Sequence, residues 1–219
     1  MKVTLLHMPE THLCATAASM CYKAPDGYKA MVHAVKSGHE SVLEHCSFTF
    51  HIEGVSRVLL AQLTRHRLAS YSVESQRYCG VGLDFDDYVI PETIFTDPDL
   101  MARLYPLMED VQKFYKEALF KGVPDEDARF FTFQAAKTQL VMTMNARELR
   151  HFFSLRCCNR AQWEIRQLAD EMLSACRIAA PHIFNDAGPG CVRGACPEGK
   201  KCCGKPRKEL IVNEKTDQG

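Results

Sequence analysis

Residues 46–54, CSFTFHIEG, set Phe48, Phe50 and Ile52 against Ser47, Thr49 and His51. Apolar residues at every second position predict a strand with one buried and one wet face. QLVMTMNA (139–146) alternates in the same way, and MKVTLLH (1–7) reads as a short strand. Other stretches carry the helical period instead. THLCATAASMCY (11–22) and GYKAMVHAVKSG (27–38) repeat small and apolar residues at helical spacing, the second ending at Gly38. SRVLLAQLTRHR (56–67) aligns Val58, Leu59 and Leu63 in one stripe. It predicts a helix carrying Gln62 and Arg65 near its C-terminal end, three apart and roughly on one side. Beyond a loop marked by Gly80, Gly82 and Pro91, residues 98–122 predict a long amphipathic helix, kinked or restarted near Pro106. ELRHFFSLR (148–156) and AQWEIRQLADEMLSACRIAA (161–180) complete the helices.

Past Phe184 the composition shifts to Gly, Pro, Cys and Lys. The pattern predicts one mixed domain over residues 1–185 and a Cys/Gly/Lys-rich tail over 186–219, with no internal repeat. Lys plus Arg equals Asp plus Glu at 27 each, so the net charge is +0. No global field draws such a chain onto nucleic acid or an anionic membrane. No apolar run reaches the roughly 20 residues that span a bilayer, and MKVTLLHMPETHL lacks the layout of a signal peptide. The expectation is a cytoplasmic protein whose 11 cysteines are reduced thiols, some of them open to metal binding. In the tail, Cys191, Cys196, Cys202 and Cys203 do not follow the paired CxxC spacing of zinc sites. Zinc there would need a ligand from Cys176, His182 or a neighbouring subunit; free thiols are the other reading, and no metal site is assigned.

Basic chemistry is concentrated instead in RHRLASYSVESQRY, residues 65–78. Guanidinium groups recognise phosphate through paired, charge-assisted hydrogen bonds, and hydroxyls add neutral ones. Arg65, His66 and Arg67 are consecutive, so they point in different directions in any regular structure and suit two anions on different sides. Ser75 and Arg77 share a side in extended chain. Taken alone, the chemistry of the segment favours phosphate binding only slightly over a solvated basic turn, and Arg156 reads first as a helix C-terminal arginine facing the dipole. His39, Glu40, Glu44 and His45 lack the HExxH spacing of a metal site. Cys79 has no adjacent base that would make it a nucleophile and reads as a structural thiol.

Arg-His-Arg, seven residues, Ser, one residue, Arg is the signature of the flavin-dependent thymidylate synthases, matched here at Arg65, His66, Arg67, Ser75 and Arg77. GHESVLEHCSFTFHI (38–52), NARELRHFFSLR (145–156) and AQWEIR (161–166) also resemble that family, in order and at compatible spacing, over roughly residues 12–185. The resemblance implies an α+β fold, an antiparallel β-sheet flanked by α-helices, assembled as a homotetramer with active sites shared between subunits. It implies FAD contacts at Ser41, Arg65, His66, Arg67, Asn145, Arg147 and His151. It implies a dUMP site at Gln62, Arg65, Glu74, Ser75, Gln76, Arg77, Arg129 and Arg156, with Arg156 assisting ionisation at uracil N3 and no enzyme cysteine as nucleophile. The implied reaction is reductive methylation of dUMP to dTMP, with methylenetetrahydrofolate as carbon donor and NADPH-reduced FAD as hydride source. Val73 and Arg160 depart from the family's pattern, which has a polar or acidic residue and a histidine there. Two other classes stay open: a related flavoenzyme with a changed reaction, and a non-enzymatic nucleotide- or nucleic-acid-binding module.

Overall fold

A computed structural model describes residues 1–210. Its elements run β1 (Lys2–His7), α1 (His12–Tyr22), α2 (Gly27–Lys36), β2 (Ser47–Ser56), α3 (Arg57–Leu63) and β3 (Ala69–Val73). There follow α4 (Glu92–Phe95), α5 (Pro98–Phe120), α6 (Asp125–Ala128), β4 (Lys137–Asn145), α7 (Ala146–Arg156), α8 (Trp163–Ala179) and α9 (Pro181–Phe184). The strands form one antiparallel sheet in the order β1-β2-β4-β3, so the fold is α+β as expected.

The chain divides into two compact units. One comprises Met1–Lys2, Ile52–Thr64 and Ser72–Val141; the other comprises Val3–His51, Arg65–Tyr71 and the chain from Met142 onward. In the first, Tyr88, Met108, Tyr115 and Ala136 form a core against which Phe85, Leu104 and Phe133 pack. In the second, Phe48, Phe152, Phe153 and Phe184 are fully buried, and Phe184 meets Phe48 and Phe153 edge-on at 5.4 and 5.9 Å. Edge-to-face rings place positive edges on negative faces, which adds to the burial term.

The alternation in β2 holds: Phe48, Phe50 and Ile52 are fully buried. On the opposite face Thr49 and Thr143 share a hydroxyl hydrogen bond of 2.9 Å. That cross-strand pair helps set the register of β2 against β4. The expected helix over 56–67 is shorter. Ser56 caps it by accepting the Leu59 N–H at 3.0 Å, and it ends at Leu63 with Thr64 as C-cap. Arg65 therefore lies beyond the helix that carries Gln62. After it comes β3, which the basic motif concealed: Ala69, Tyr71 and Val73 are half-buried while Ser70 and Ser72 are exposed. The helix α5 passes through Pro106 without a restart, begun by Pro98 at its first position and capped by Asp97. Asn145 caps α7 by accepting the Glu148 N–H at 2.9 Å, so that helix begins at Ala146 instead of residue 148.

Candidate active site

In the second unit, His66 is 5% exposed although a solvated arginine stands on each side of it. The predicted divergence of Arg65, His66 and Arg67 is thus realised, with the imidazole turned inward and the guanidiniums outward. The Tyr71 hydroxyl donates to the His66 carbonyl at 2.8 Å and holds the turn. Edge-on contact with Phe152 at 4.9 Å packs the ring.

Two hydrogen bonds define the state of that ring. Arg156 Nε lies 3.1 Å from His66 Nε2, and His66 Nδ1 lies 3.2 Å from Glu148 Oε1. An arginine Nε–H only donates, so Nε2 accepts and the ring proton sits on Nδ1, donating to the carboxylate. Burial lowers the His66 pKa, and the Arg156 charge adds to this, against the opposing pull of Glu148. The result is a neutral imidazole between a carboxylate and a guanidinium. Glu148 is itself buried, so this chain of three orients Arg156 from behind. Burial and then the charge of Arg65 lower the Arg156 pKa, but it stays a cation.

The remaining residues expected at FAD lie in this same unit. Ser41, Arg147 and His151 are exposed, and Asn145 is half-buried with its Oδ1 engaged as the α7 cap. Arg147 is ion-paired with Glu44. Glu40 is paired with Arg150 at 2.7 Å, so both acidic residues of the 39–45 cluster are engaged by arginines. Arg160, the departure from the family's pattern, donates to the Lys201 carbonyl at 2.6 Å. It holds the tail.

In the first unit a pocket of about 490 Å³ is lined by Arg57, Thr64, Gln76, Arg129, Thr132 and Gln134, with Phe130 and Phe133. Gln76 and Arg129 were expected at a nucleotide; Arg57 was not. Its Nη1 is buried and makes no hydrogen bond. Burial, followed by the like charge of Arg129, lowers its pKa, partly offset by Glu74. A buried guanidinium nitrogen without an acceptor is costly unless something anionic completes it. Two guanidiniums on one concave wall suit a phosphate. Nothing in the sequence marked Arg57, because an arginine at the first turn of a helix looks like surface. Ser75 accepts the Arg77 N–H at 3.2 Å, and Arg77 pairs with Glu126 at 2.7 Å. Gln62 and Ser75 are half-buried and Glu74 is exposed; none of these, nor Arg77, lines the pocket wall. Val73 ends β3 half-buried.

A family model described as thymidylate synthase complementing protein matches residues 4–182. The flavin-dependent thymidylate synthase of Geobacter sulfurreducens is 47% identical over 219 residues, covering 94% of each chain. That of Pyrococcus furiosus is 50% identical over 170 residues, covering 74% of this chain and 69% of its own. Among solved structures, the flavin-dependent thymidylate synthase ThyX of Helicobacter pylori, crystallised with FAD and dUMP, superposes with a TM-score of 0.72. The superposition covers 85% of this chain and 98% of that one at 24% identity, a likeness of fold. With the match spanning most of its length and nearly half its residues shared with such relatives, the chain belongs to the flavin-dependent thymidylate synthase family.

Proposed function

We propose that this protein converts dUMP to dTMP by reductive methylation, and that the pocket of Arg57, Gln76 and Arg129 holds the nucleotide phosphate. The observation that carries the reading is the buried, unpartnered Nη1 of Arg57 on the same wall as Arg129. A phosphate oxygen supplies the acceptor that Arg57 Nη1 lacks. Gln62, Glu74, Ser75 and Arg77, of the same unit, are assigned to that nucleotide as well, with Arg77 exchanging Glu126 for the ligand.

Arg156 acts on the base. Uracil C5 is a poor nucleophile, and a fixed cation at N3 and O4 stabilises the negative charge that makes it reactive. The bond from His66 removes rotational freedom from that guanidinium, so little reorganisation is left for the reaction itself.

Arg65 and Arg67, exposed on either side of the anchored His66, fit the pyrophosphate of FAD, and Ser41, Asn145, Arg147 and His151 border the same cofactor. His66 contributes chiefly by bracing, given its small exposed edge. Bound FAD supplies the hydride after reduction by NADPH, and methylenetetrahydrofolate supplies the carbon. Tyr78, Phe120 and Phe130 are 80, 92 and 76% exposed. In the homotetramer that the family resemblance implies, subunit contacts cover such side chains and complete each active site.

Arg57→Ala tests the phosphate pocket. With release of tritium from C5-labelled dUMP as the readout, the KM for dUMP rises roughly 10- to 100-fold, the loss of one charge-assisted hydrogen bond. Flavin content stays unchanged. An unaltered KM would remove the pocket from the substrate site.

A further inference from the structure

The tail poses a separate problem, because no residue from 190 to 210 is buried. It nevertheless follows a defined path. Arg207 bonds the Cys157 carbonyl at 2.9 Å and pairs with Asp170 at 3.0 Å, while Asn159 donates to the Lys205 carbonyl at 2.8 Å. A Cβ on Gly190 would stand 2.6 Å from the Pro197 ring, so glycine is required where these two turns close on each other. Hydrogen bonds in water contribute little net stability each, and a stretch without a core needs a staple.

The cysteines supply the material for one. Cys191, Cys196, Cys202 and Cys203 line a single cavity of about 290 Å³ with Cys158, which lies two residues past the end of α7. The spacing of the tail suggested Cys176 or His182 as the added ligand; neither lines this cavity, and Cys158 does. Backbone amides are aimed at three of the sulfurs: Gly204 N–H at Cys202 (3.4 Å), Lys205 N–H at Cys203 (3.4 Å) and Arg207 N–H at Cys191 (3.5 Å). Gly204 adopts φ +71°, a left-handed turn that favours glycine. Arg160, Lys205 and Arg207 stand on the same cavity wall, against one acidic residue, Glu198. Amides and cations around sulfur favour thiolate over thiol, as they do around metal–thiolate centres.

We propose that Cys158, Cys191, Cys196 and one of the adjacent pair Cys202 and Cys203 bind one soft divalent cation of the zinc class. The ion staples the tail to the end of α7, beside Arg156. Among the described residues no three such side chains are yet gathered closely enough to hold an ion. Binding therefore draws the sulfurs inward from the cavity wall, and each ligating thiol loses its proton to solvent. The inference does not rest on the reaction proposed above.

The test uses the full chain, purified anaerobically with reductant after growth with zinc. Elemental analysis should find about one zinc per chain, and replacement by Co²⁺ should give the thiolate charge-transfer and tetrahedral bands. Cys158→Ser and the exposed double variant Cys202→Ser/Cys203→Ser should each fall below about a tenth of that content. Cys21→Ser, exposed on α1 and outside the cavity, should keep the full content. Circular dichroism identifies a variant that has merely unfolded, and the double variant changes only solvated side chains. Wild-type protein without zinc, full zinc in the folded Cys158→Ser or double variant, or a Cys196–Cys202 disulfide in the native chain would overturn the assignment.

Discussion

Arg156→Ala retains its flavin and loses turnover by at least about 10²–10³-fold, the usual effect of deleting a preorganised group that stabilises developing charge. Flavin absorbance per chain and tritium release from C5-labelled dUMP check both halves of that statement. The separation is expected because Arg65 and Arg67 point to solvent, whereas Arg156 is tied to His66. Removing Arg156 takes away the donor to His66 Nε2 but leaves the Glu148 bond and the packing on Phe152. Loss of flavin along with turnover would make Arg156 a scaffold or cofactor residue.

Arg150→Met lowers the unfolding free energy by about 2–3 kcal/mol, below the full cost of a buried pair because both carboxylates are partly solvated, and for a chain of this size the melting temperature by on the order of 5–10 °C. Arg150 is 3% exposed. It binds Glu40 at 2.7 Å, takes Asp186 through two bonds of 2.6 and 3.1 Å, and also donates to the Ile183 carbonyl. Burial pushes the Asp186 carboxyl up, but hydrogen bonds and charge from Arg150 outweigh it and hold it below the ordinary carboxylate value. Methionine fills the space but removes the hydrogen bonds that Glu40 and Asp186 take from Arg150, leaving Asp186 only the more distant charges of Arg193 and Arg177. Arg147→Ala, which breaks the half-exposed pair with Glu44, should cost only about 0–1 kcal/mol. Denaturation of the two variants side by side makes the comparison; equal effects would mean that the Arg150 network is ordinary surface pairing.

Both residues show how far the sequence could be read. Strand β2 and helix α8 were legible because their apolar residues keep one period throughout. Strand β3 was not, since its alternation of Ala69, Tyr71 and Val73 lies inside a segment whose arginines and serines suggested a loop. Helix α3 was read too long for the related reason that Arg65 and Arg67 are good helix formers, and only the burial of His66 shows why the chain must turn. In NARELRHFFSLR (145–156), Arg147, Arg150 and Arg156 look alike. One is solvated, one is a buried structural hub, and one is held by an imidazole; that difference comes from Glu44, Glu40, Asp186 and His66, which are remote in sequence. Arg57 was invisible for the same reason: what marks it is an acceptor that it does not have. That Cys158 lines one cavity with the tail cysteines could not be read either, because it belongs to a different part of the chain.

In the proposed reaction a hydride and a one-carbon unit both reach uracil C5 while this chain holds the nucleotide. The direct measurement is an anaerobic single turnover with the protein-bound flavin already reduced. With dUMP and methylenetetrahydrofolate together, flavin absorbance should return in step with about one dTMP per active site. With either omitted, the flavin should stay reduced. Oxidised flavin without dTMP, or dTMP with the flavin still reduced, would contradict this reaction.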